Sequence, residues 1–585
     1  MKMKLSLLAA AIAVSPLFSL AHADTVPALS LHVHPGNATP PAAKFTGGVT
    51  LNGGANFLKT VPAGQPAGLF ATITPAAAHV GTEGFLYMVA YAGSTAYMLT
   101  PTGFALWNGD VATLVAALTK TLLAEEIINL PDFEAFAGAT LDGENIQLHL
   151  GYATANSPLS YSSAIAFTMA GAPSTSCPVG APAGLDPVVS GGKRLCLLQG
   201  NHTADLHLTS NFEYILSGGV FIGGDNVNSA SLTIDAGTKI YGESGLDFLV
   251  INRGSKIHVN GTPSAPVIMT SANDATANAT TSGQWGGLII NGNAPINGCV
   301  AGTPVCETSG EGGTGNYGGN NPADNSGNLN FLQVKYAGYL ITPTNELNGI
   351  ALQGVGNGTL IDYVQVHNNS DDGIEFFGGT VNAKHLYLSG NEDDSVDWTF
   401  GYSGKLQHVV VVQRELGDKA IEADNNAANR DSSPRSMPVI SNLTIVGNPN
   451  AGGGILLREG TGAKFSNVVV TGADKLCINI DHDQTFNNAG SSATALTGNL
   501  TMINSVVNCA INFKEDIADK FSIAGWYNGQ AGNSTAAVGM TTYVNTSAVN
   551  ALAPATGLDA FFDVTNYRGA VKDAASDWTT GWTFK

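Results

Sequence analysis

The sequence predicts an all-β protein, in which a parallel β-helix follows a small β-rich module and ends in a C-terminal cap. Two observations lead to this fold class. Short runs of Val, Ile and Leu alternate with Gly and Asn turns, which is typical of strands. Similar runs recur at intervals of 22, 23, 34 and 25 residues. A unit this short cannot bury an apolar face alone, so it has to stack on the next copy.

Five recurring strands define the repeat. Side chains alternate along a strand, so two apolar columns fall on one face of the stack. The columns are Val364, Leu386, Val409, Leu443 and Val468, and Val366, Leu388, Val411, Ile445 and Val470. Strands stacked by translation are parallel and about 4.8 Å apart. The 34-residue interval predicts a protruding loop near residues 422–437. Upstream, "TIDAGTKIYG" (233–242) matches "VINRGSKIHV" (250–259) after a shift of 17 residues.

The N-terminal residues 1–23 predict a secretory signal peptide. A basic start is followed by a mostly apolar stretch from Leu5 to Leu20, and Ala21-His22-Ala23 fits a small-x-small cleavage site. We therefore expect an exported protein that is periplasmic, attached to the cell surface or extracellular. No later apolar run reaches the length of a membrane span.

The rest of the chain divides by composition. Residues 24–172 predict a β-rich, sandwich-like module with one helix, best placed at Val111–Ile128. Residues 173–189 are an Ala/Pro/Ser-containing linker, residues 190–515 form the β-helix, and residues 516–585 are a C-terminal cap or tail. We expect the aromatic side chains of this tail to cover the open end of the solenoid. They are Phe561, Phe562, Tyr567, Trp578, Trp582 and Phe584.

Charge and cysteine content limit the partners. The chain carries 25 Lys and Arg against 45 Asp and Glu, a net charge of −20. Nucleic acid is therefore excluded as a partner, because binding it needs a basic face. The six cysteines fall as near neighbours in an exported chain, so we expect disulfides rather than metal ligation. The expected pairs are Cys177–Cys196, Cys299–Cys306 and Cys477–Cys509.

Acidic residues are concentrated between 371 and 424, where 11 acids stand against four basic residues. Three D-x-x-[IV]-[DE] units span residues 371–375, 393–397 and 418–422, and their apolar residues Ile374, Val396 and Ile421 are expected to point inward. Stacked carboxylates repel by about 1 kcal/mol per hydrated pair. Asp can cap turns, but the same acids also suit a hard cation such as Ca²⁺. The candidate cation ligands are Asp371, Glu375, Asp393, Asp397, Asp418 and Glu422.

Other polar and aromatic groups lie near these acids. His367, His385 and His408 fall at outward positions of neighbouring strands, and surface polar residues are a better interpretation than a metal site. Exposed aromatic rings beside carboxylates often bind sugars, which makes Trp398 and Tyr402 candidate ligand-binding residues together with Arg458; packing beneath the 422–437 loop is the equal alternative for the two rings. The Gly-rich segment 307–328 predicts a flexible solvent loop.

Several segments resemble families of known fold. They are "PSAPVIMTSA" and "QWGGLIING" within residues 263–292, "DDGIEFFGG", and the terminal "SDWTTGWTFK". They look like exported bacterial β-helix proteins of unassigned activity. The resemblance covers residues 190–585 and implies a right-handed, pectate-lyase-like β-helix, without implying a reaction. Residues 24–172 resemble the small β-rich module at the start of other exported bacterial surface proteins.

A shorter resemblance concerns polygalacturonase-type glycoside hydrolases, whose successive coils read N-T-D-G-I-D and G-D-D-C-I-A. Residues 370–375 and 392–397 match these motifs and place Asp372, Asp393 and Asp394 at the family's catalytic carboxylates. The family's G-H-G is replaced by residues 417–420, which contain no His, and Arg458 is displaced from the family's R-I-K position. The resemblance implies an inverting hydrolase.

These observations predict a non-catalytic protein of the cell surface or extracellular space that binds a glycan or another surface ligand along its acidic face. The alternative is a carbohydrate-active enzyme, either an inverting hydrolase or a polysaccharide lyase, that uses Asp372, Asp393 and Asp394. A lyase would need a base, for which Lys419 and Arg458 are the nearest basic candidates on the acidic face. A purely structural surface protein is the second alternative. Ca²⁺ is the only cofactor that the sequence suggests.

Overall fold

The computed structural model describes residues 26–36, 41–50, 57, 60–61, 68–92, 95–130, 145–169, 177, 194–300, 302–342, 345–473 and 475–585. The chain separates into two compact units, Met1–Thr175 and Ser176–Lys585. The predicted signal peptide lies outside the described residues, as does the predicted linker apart from Cys177.

The first unit contains thirteen strands among its described residues. They are β1 (Ala28–Leu29), β2 (Leu31–His34), β3 (Lys44–Thr50), β4 (Thr60–Val61), β5 (Gly68–Thr74), β6 (Glu83–Ala92), β7 (Thr95–Thr100), β8 (Gly103–Leu106), β9 (Leu118–Thr121), β10 (Glu126–Leu130), β11 (Asn145–Thr154), β12 (Leu159–Ser162) and β13 (Ile165–Met169). One sheet has the order β1-β3-β5-β10, and the other has β2-β12-β11-β6-β7-β8 as its main path. Inward side chains of both sheets, including Phe45, Ile73, Leu86 and Leu148, share one core.

The helix predicted at Val111–Ile128 is wrong. Only Val111–Thr113 forms a short 3-10 helix, and β9 and β10 follow it. Glu126, Ile128 and Leu130 are buried in β10, while Ile127 is 52% exposed. Buried and exposed residues alternate one by one, which is the period of a strand. The run of good helix formers in this segment favoured a helix and hid that alternation.

The second unit contains 28 strands among its described residues. They are β14 (Arg194–His202), β15 (Leu206–Leu208), β16 (Phe212–Ile222), β17 (Ser231–Asp235), β18 (Lys239–Gly242), β19 (Phe248–Ile251), β20 (Lys256–Asn260), β21 (Val267–Ser271), β22 (Gly287–Asn291), β23 (Cys306–Ser309), β24 (Asn316–Gly319), β25 (Gly327–Lys335), β26 (Tyr339–Thr342), β27 (Asn345–Leu347), β28 (Ile350–Gln353), β29 (Leu360–His367), β30 (Ile374–Phe377), β31 (Asn382–Ser389), β32 (Val396–Thr399), β33 (Lys405–Val412), β34 (Lys419–Ala423), β35 (Val439–Val446), β36 (Gly453–Leu457), β37 (Ala463–Ser466), β38 (Val469–Thr471), β39 (Ile478–Ile480), β40 (Leu500–Ile503) and β41 (Val506–Asn508). Twenty-four of these strands belong to one large sheet, and hairpins β23–β24 and β26–β27 lie outside it.

The predicted parallel stacking is confirmed by the register. Val364 pairs with Leu386, Leu386 with Val409, and Val409 with Leu443, so each strand pairs with its equivalent in the next coil. The second apolar column continues in the same way from Val366 to Val470. These side chains are at most 1% exposed, and together they form the core of the solenoid.

The 17-residue shift between the two matching segments upstream is not the length of one coil. Ile234 pairs with Val259, which lies 25 residues further along the chain. The two matching segments are strand–turn–strand corners, β17–β18 and β19–β20. Gly237 and Gly254 occupy equivalent turn positions with φ of 74° and 81°, a conformation that glycine adopts at little cost.

A column of left-handed residues interrupts the strands that follow. Tyr363, His385, His408, Asn442 and Asn467 have φ between 50° and 57°. Non-glycine residues rarely adopt this conformation. The ring of Tyr363 stacks on that of His385 at 4.3 Å, and the two imidazoles stack at 4.8 Å. These contacts and the tolerance of Asn for positive φ offset the local backbone cost.

The C-terminal tail covers this column from the side. Trp578 contacts His385 at 5.0 Å between ring centroids, and Trp582 contacts Tyr363 at 6.0 Å. Asn442 donates to the Gly569 carbonyl at 3.0 Å. These tail aromatics therefore do not cover the end of the solenoid. The expectation that the three histidines are surface residues is wrong for two of them, since His385 and His408 are 8% and 5% exposed.

Three α-helices lie near the C-terminus of the described chain, at Asp483–Ala489 (α1), Ile523–Asn528 (α2) and Ser547–Asn550 (α3). Short 3-10 helices lie at Ala77–His79, Asp274–Thr276, Glu311–Gly313 and Ala574–Ser576. Trp526 and Tyr527 of α2 are buried in the solenoid core, and Trp526 donates to the Leu500 carbonyl at 3.0 Å. The side chains of α2 therefore extend the core beyond the last strands.

The Gly-rich segment 307–328 was predicted as a flexible loop, and this is wrong for much of its length. It contains parts of hairpin β23–β24, the Glu311–Gly313 3-10 helix and the start of β25. Tyr317 is 2% exposed and packs with Phe248, Ile289 and Ala351 on the outside of the solenoid. One aromatic residue thus anchors a segment whose composition suggested a solvent loop.

The three expected disulfides are confirmed. Cys177–Cys196, Cys299–Cys306 and Cys477–Cys509 are bonded, each with 5.6 Å between the Cα atoms. Within the described part of the chain, no helix has the length and apolar character needed to cross a membrane.

Trp582 tests the packing of the tail. We expect Trp582→Ala to lower the free energy of unfolding by about 3–5 kcal/mol, because the 2% exposed ring fills space against the solenoid. Val564→Ala is a matched control in the same tail, because Val564 is 96% exposed and its loss should change stability by less than about 0.5 kcal/mol. Equal urea midpoints for the two variants would contradict this docking.

Candidate functional site

The acidic face lies on strands β28, β30, β32, β34 and β36, which pair in parallel with one another. Their inward residues include Ile374, Val396 and Ile421, which are 1% exposed, as predicted. The neighbouring outward column runs through Ala351, Glu375, Asp397, Glu422 and Leu456. Three carboxylates are thus stacked between two apolar side chains.

Asp372 and Asp394 precede β30 and β32 and connect successive coils. The Asp372 carboxylate accepts the backbone N–H of Asp394 at 3.0 Å, and the Asp394 carboxylate accepts that of Lys419 at 2.5 Å. Their exposures are only 5% and 4%. Both side chains therefore bond the backbone of the next coil, 22 and 25 residues further along the chain, rather than capping their own turns.

Two acids at the site come from outside residues 371–424, where the sequence concentrates its acidic residues. Glu346 lies on hairpin β26–β27, and its carboxylate reaches Asp371 and Asp393. Glu311 lies in the 3-10 helix after β23, and its charge raises the pKa values of Asp371 and Glu375. The regular spacing of the D-x-x-[IV]-[DE] units gives no signal for either residue. Both lie in insertions that bring them to the site from other coils.

The carboxylates form three overlapping groups within the described residues. Each group offers three oxygen atoms that all lie within 4.8 Å of one another. The groups are Glu346–Asp371–Asp393, Asp372–Asp394–Asp397 and Asp393–Asp394–Asp418. Of the six cation ligands predicted from sequence, four therefore belong to a compact group, whereas Glu375 and Glu422 belong to none.

Those two glutamates have other partners. Asn348 donates to Glu375 at 2.7 Å. Arg458 donates to Glu422 and, at 2.9 Å, to Asp424. Burial lowers the pKa of Arg458, but Asp424 and Glu422 outweigh burial and raise it overall. Lys419 pairs with Asp418 at 2.6 Å. Both candidate lyase bases are thus paired with neighbouring carboxylates.

Burial and crowding favour the protonated acids. Burial, then Glu346, Asp393 and Glu311, raises the pKa of Asp371 to about 8. Burial also raises the pKa of Glu422 to about 7, despite the opposing Arg458. The pKa values of Asp372, Glu375, Asp394 and Asp397 are raised well above their ordinary values, first by burial and then by other carboxylates. These buried acids therefore hold a proton more tightly than ordinary carboxyl groups do.

One carboxylate oxygen of Asp397 also bears on what the site can bind. Its Oδ1 atom is buried and has no hydrogen-bond partner among the described residues. A buried acceptor without a partner is costly. Asp397 lies in the group with Asp372 and Asp394, so a cation or a proton held between these side chains would remove that cost.

Trp398 and Tyr402 do not contribute rings to this surface. Both are 0% exposed and belong to the solenoid core. Trp398 donates to Thr461 Oγ1 at 3.0 Å, and the Tyr402 hydroxyl donates to the Val381 carbonyl at 2.9 Å. Their predicted role as exposed ligand-binding residues is wrong. Arg458, with a side-chain exposure of 35%, remains at the edge of the acidic face.

The carboxylate spacing bears on the predicted catalytic set. Asp372, Asp394 and Asp397 present oxygens within 4.8 Å of one another, and Asp393 is equally close to Asp394. Inverting glycosidases keep their two carboxyl groups about 6.5–9.5 Å apart, which leaves room for a water molecule. Asp394 therefore lies closer to both Asp372 and Asp393 than that mechanism requires.

The raised pKa values predict how stability depends on pH without added cations. A folded-state pKa above the unfolded-state value means that the folded protein binds more protons, so unfolding becomes easier as pH rises. We expect the melting temperature in EDTA to fall between pH 5 and pH 8, the range that includes the pKa values of Glu422 and Asp371. Asp397→Asn should reduce that fall, and Glu243→Gln, at an exposed acid elsewhere in the solenoid, should not. A melting temperature that rises with pH would contradict the assignment.

The chain matches the model of a known protein family. The model of the pectate-lyase-like β-helix domain matches residues 200–583, which is more than half of the chain. No curated protein and no solved structure matches the chain.

Proposed function

The chain belongs to the pectate-lyase-like β-helix family, and we propose that it is an exported protein that binds Ca²⁺ at its acidic face and uses the bound ion to hold an anionic glycan. The observation that carries this proposal is the set of three overlapping carboxylate groups around Asp393 and Asp394. Asp393 and Asp394 each belong to two of the groups, so one ion can draw oxygen ligands from several coils.

The chemistry of the donors favours a hard cation. The three groups contain only carboxylates, and no His or Cys belongs to them in the described chain. Ca²⁺ takes 6–8 oxygen ligands at about 2.3–2.6 Å and accepts irregular geometry, whereas transition metals favour nitrogen or sulfur. Three carboxylates leave positions that water or ligand oxygens can fill.

Accessibility indicates where a ligand would approach. The side chain of Asp418 is 46% exposed, whereas Asp372 and Asp394 are buried beneath the surface. A cation held by Asp393, Asp394 and Asp418 would therefore face solvent on the Asp418 side. A glycan carboxylate or hydroxyl can complete its coordination there, and the acidic face would repel the same anion without the cation.

Binding without cleavage is the better-supported form of this proposal. Lys419 and Arg458 are both engaged in ion pairs with carboxylates, so neither candidate base is free of a partner. Asp372 and Asp394 cap backbone N–H groups of the next coil. The enzyme alternative and the purely structural alternative give different results in the experiments below.

Calcium binding is tested by thermal unfolding with and without the cation. A ligand that binds only the folded state raises the melting temperature. We expect millimolar CaCl₂ to raise it at pH 8 and to have less effect at pH 5, where protons occupy the raised-pKa carboxylates. Asp393→Asn should reduce the calcium shift, because Asp393 belongs to two groups, and Glu243→Gln should leave it unchanged. Identical curves in CaCl₂ and EDTA would show that the acids bind no calcium.

Glycan binding is tested on immobilised polygalacturonate and alginate, with a neutral glucan as the control. We expect retention of the wild-type protein on one of the two uronate polymers in CaCl₂, and its release by EDTA. Retention should be lost in Asp393→Asn. New reducing ends or unsaturated uronates would establish the enzyme alternative. Calcium-dependent stabilisation without retention on either uronate polymer would leave the cation with a structural role and overturn the glycan part of the proposal.

A further inference from the structure

The first unit contains a pocket that the acidic face does not explain. Its volume is about 220 Å³, and it opens on the outer face of the sheet β2-β12-β11-β6-β7-β8. Aromatic and imidazole rings dominate its lining: Tyr87, Tyr91, Trp107, Tyr161, His34 and His149. From its shape and chemistry, we propose that this pocket binds one ring of a neutral saccharide.

The floor of the pocket is a glycine. Gly151 pairs with Tyr161 of β12 on one side and with Tyr87 of β6 on the other. A Cβ atom at residue 151 would lie 3.1 Å from the Ser160 carbonyl oxygen and 3.2 Å from Leu159 Cδ1. A side chain at this position would be crowded and would also fill the pocket, so the glycine preserves the depression between the two tyrosines.

The width of this depression suits one ring. Neighbouring strands are about 4.7–4.9 Å apart, so the backbones at Tyr87 and Tyr161 stand about 10 Å apart across Gly151. Carbon atoms in contact are about 3.5–4.0 Å apart, so a flat ring between two side chains occupies about 7–8 Å, which a gap of two strand spacings can hold only once. The volume is also below the roughly 300–1,000 Å³ of pockets for drug-sized ligands. A single ring fits better than a larger ligand.

The lining favours an uncharged ligand with a polar edge. In the described part of the chain, no Asp, Glu, Lys or Arg lines the pocket. Tyrosine rings offer apolar faces together with hydroxyls that form hydrogen bonds. A sugar ring matches both features, because the C–H groups of its face pack on aromatic carbon and its hydroxyls need partners. An ammonium ligand would find no carboxylate in this lining, and a carboxylate ligand would find no Lys or Arg.

Two hydrogen bonds hold polar groups of the lining in place. His149 Nδ1 lies 3.0 Å from the Ser162 carbonyl, which can only accept, so Nδ1 carries the proton and Nε2 of the neutral ring is an acceptor. A sugar hydroxyl can donate to Nε2. The Trp107 indole N–H donates to the Asp110 carbonyl at 3.0 Å, so this ring contributes its apolar surface rather than its donor.

The experiment measures binding of cello-, manno-, xylo- and chitotriose to the full chain by calorimetry in EDTA, which removes any contribution of the cation site. We expect at least one of these sugars to bind, and Tyr87→Ala and Tyr161→Ala each to weaken binding at least tenfold. Ile127→Ala, on the other sheet of the same unit and 52% exposed, is the control and should leave binding unchanged. Melting curves establish that each variant is folded.

Three results would overturn the proposal. The first is that none of the four sugars binds. The second is that a sugar binds but both folded tyrosine variants retain wild-type affinity, which would place binding elsewhere. The third is that phenol or choline competes with the sugar in wild type and binds more tightly than it, which would make the pocket an aromatic or cation site. Asp393→Asn should bind the sugar as wild type does, so this test and that of the cation site fail independently.

Discussion

Each coil of the solenoid lies in register on the next, and this stacking places chemically similar residues against one another. When the column is apolar, as from Val364 to Leu443, every added coil buries more surface and the core becomes continuous. When the column is acidic, as at Glu375, Asp397 and Glu422, the same register brings like charges together. The crowding of carboxylates on the acidic face is thus a direct consequence of the stacking that stabilises the fold.

The alternation of side chains along each strand explains why the prediction for Val396 was correct and that for Trp398 was wrong. Val396 was correctly placed inside the solenoid, and Trp398, two residues later on the same strand, has to point inward as well. Its aromatic character suggested a sugar-binding surface, but alternation decides its direction. The disulfides were predictable for a related reason, because each closes a short local loop in a chain whose contacts are mostly between neighbouring coils.

Contacts between distant parts of the chain could not be predicted in this way. His385 and His408 point outward as their strand positions require, yet tail residues more than 150 positions away cover them, including Trp578 and Asp563. Glu346 reaches the acidic groups on a hairpin inserted between two coils. Neither the hairpin nor the tail follows the repeat of the coils. The repeat therefore gives no information about where the hairpin and the tail pack.

The composition of the outward column argues that its acids are not needed by the fold. Val250, Ile289 and Ala351 precede Glu375 in that column, and Leu456 follows Glu422. The solenoid therefore accommodates apolar side chains at equivalent positions on both sides of the acidic run. Arg458 neutralises charge only at the Glu422 end. No Lys or Arg forms an ion pair with Glu375 or Asp397 in the described residues, and burial and neighbouring carboxylates raise the pKa values of both, so the charge at the centre of the run is the least compensated.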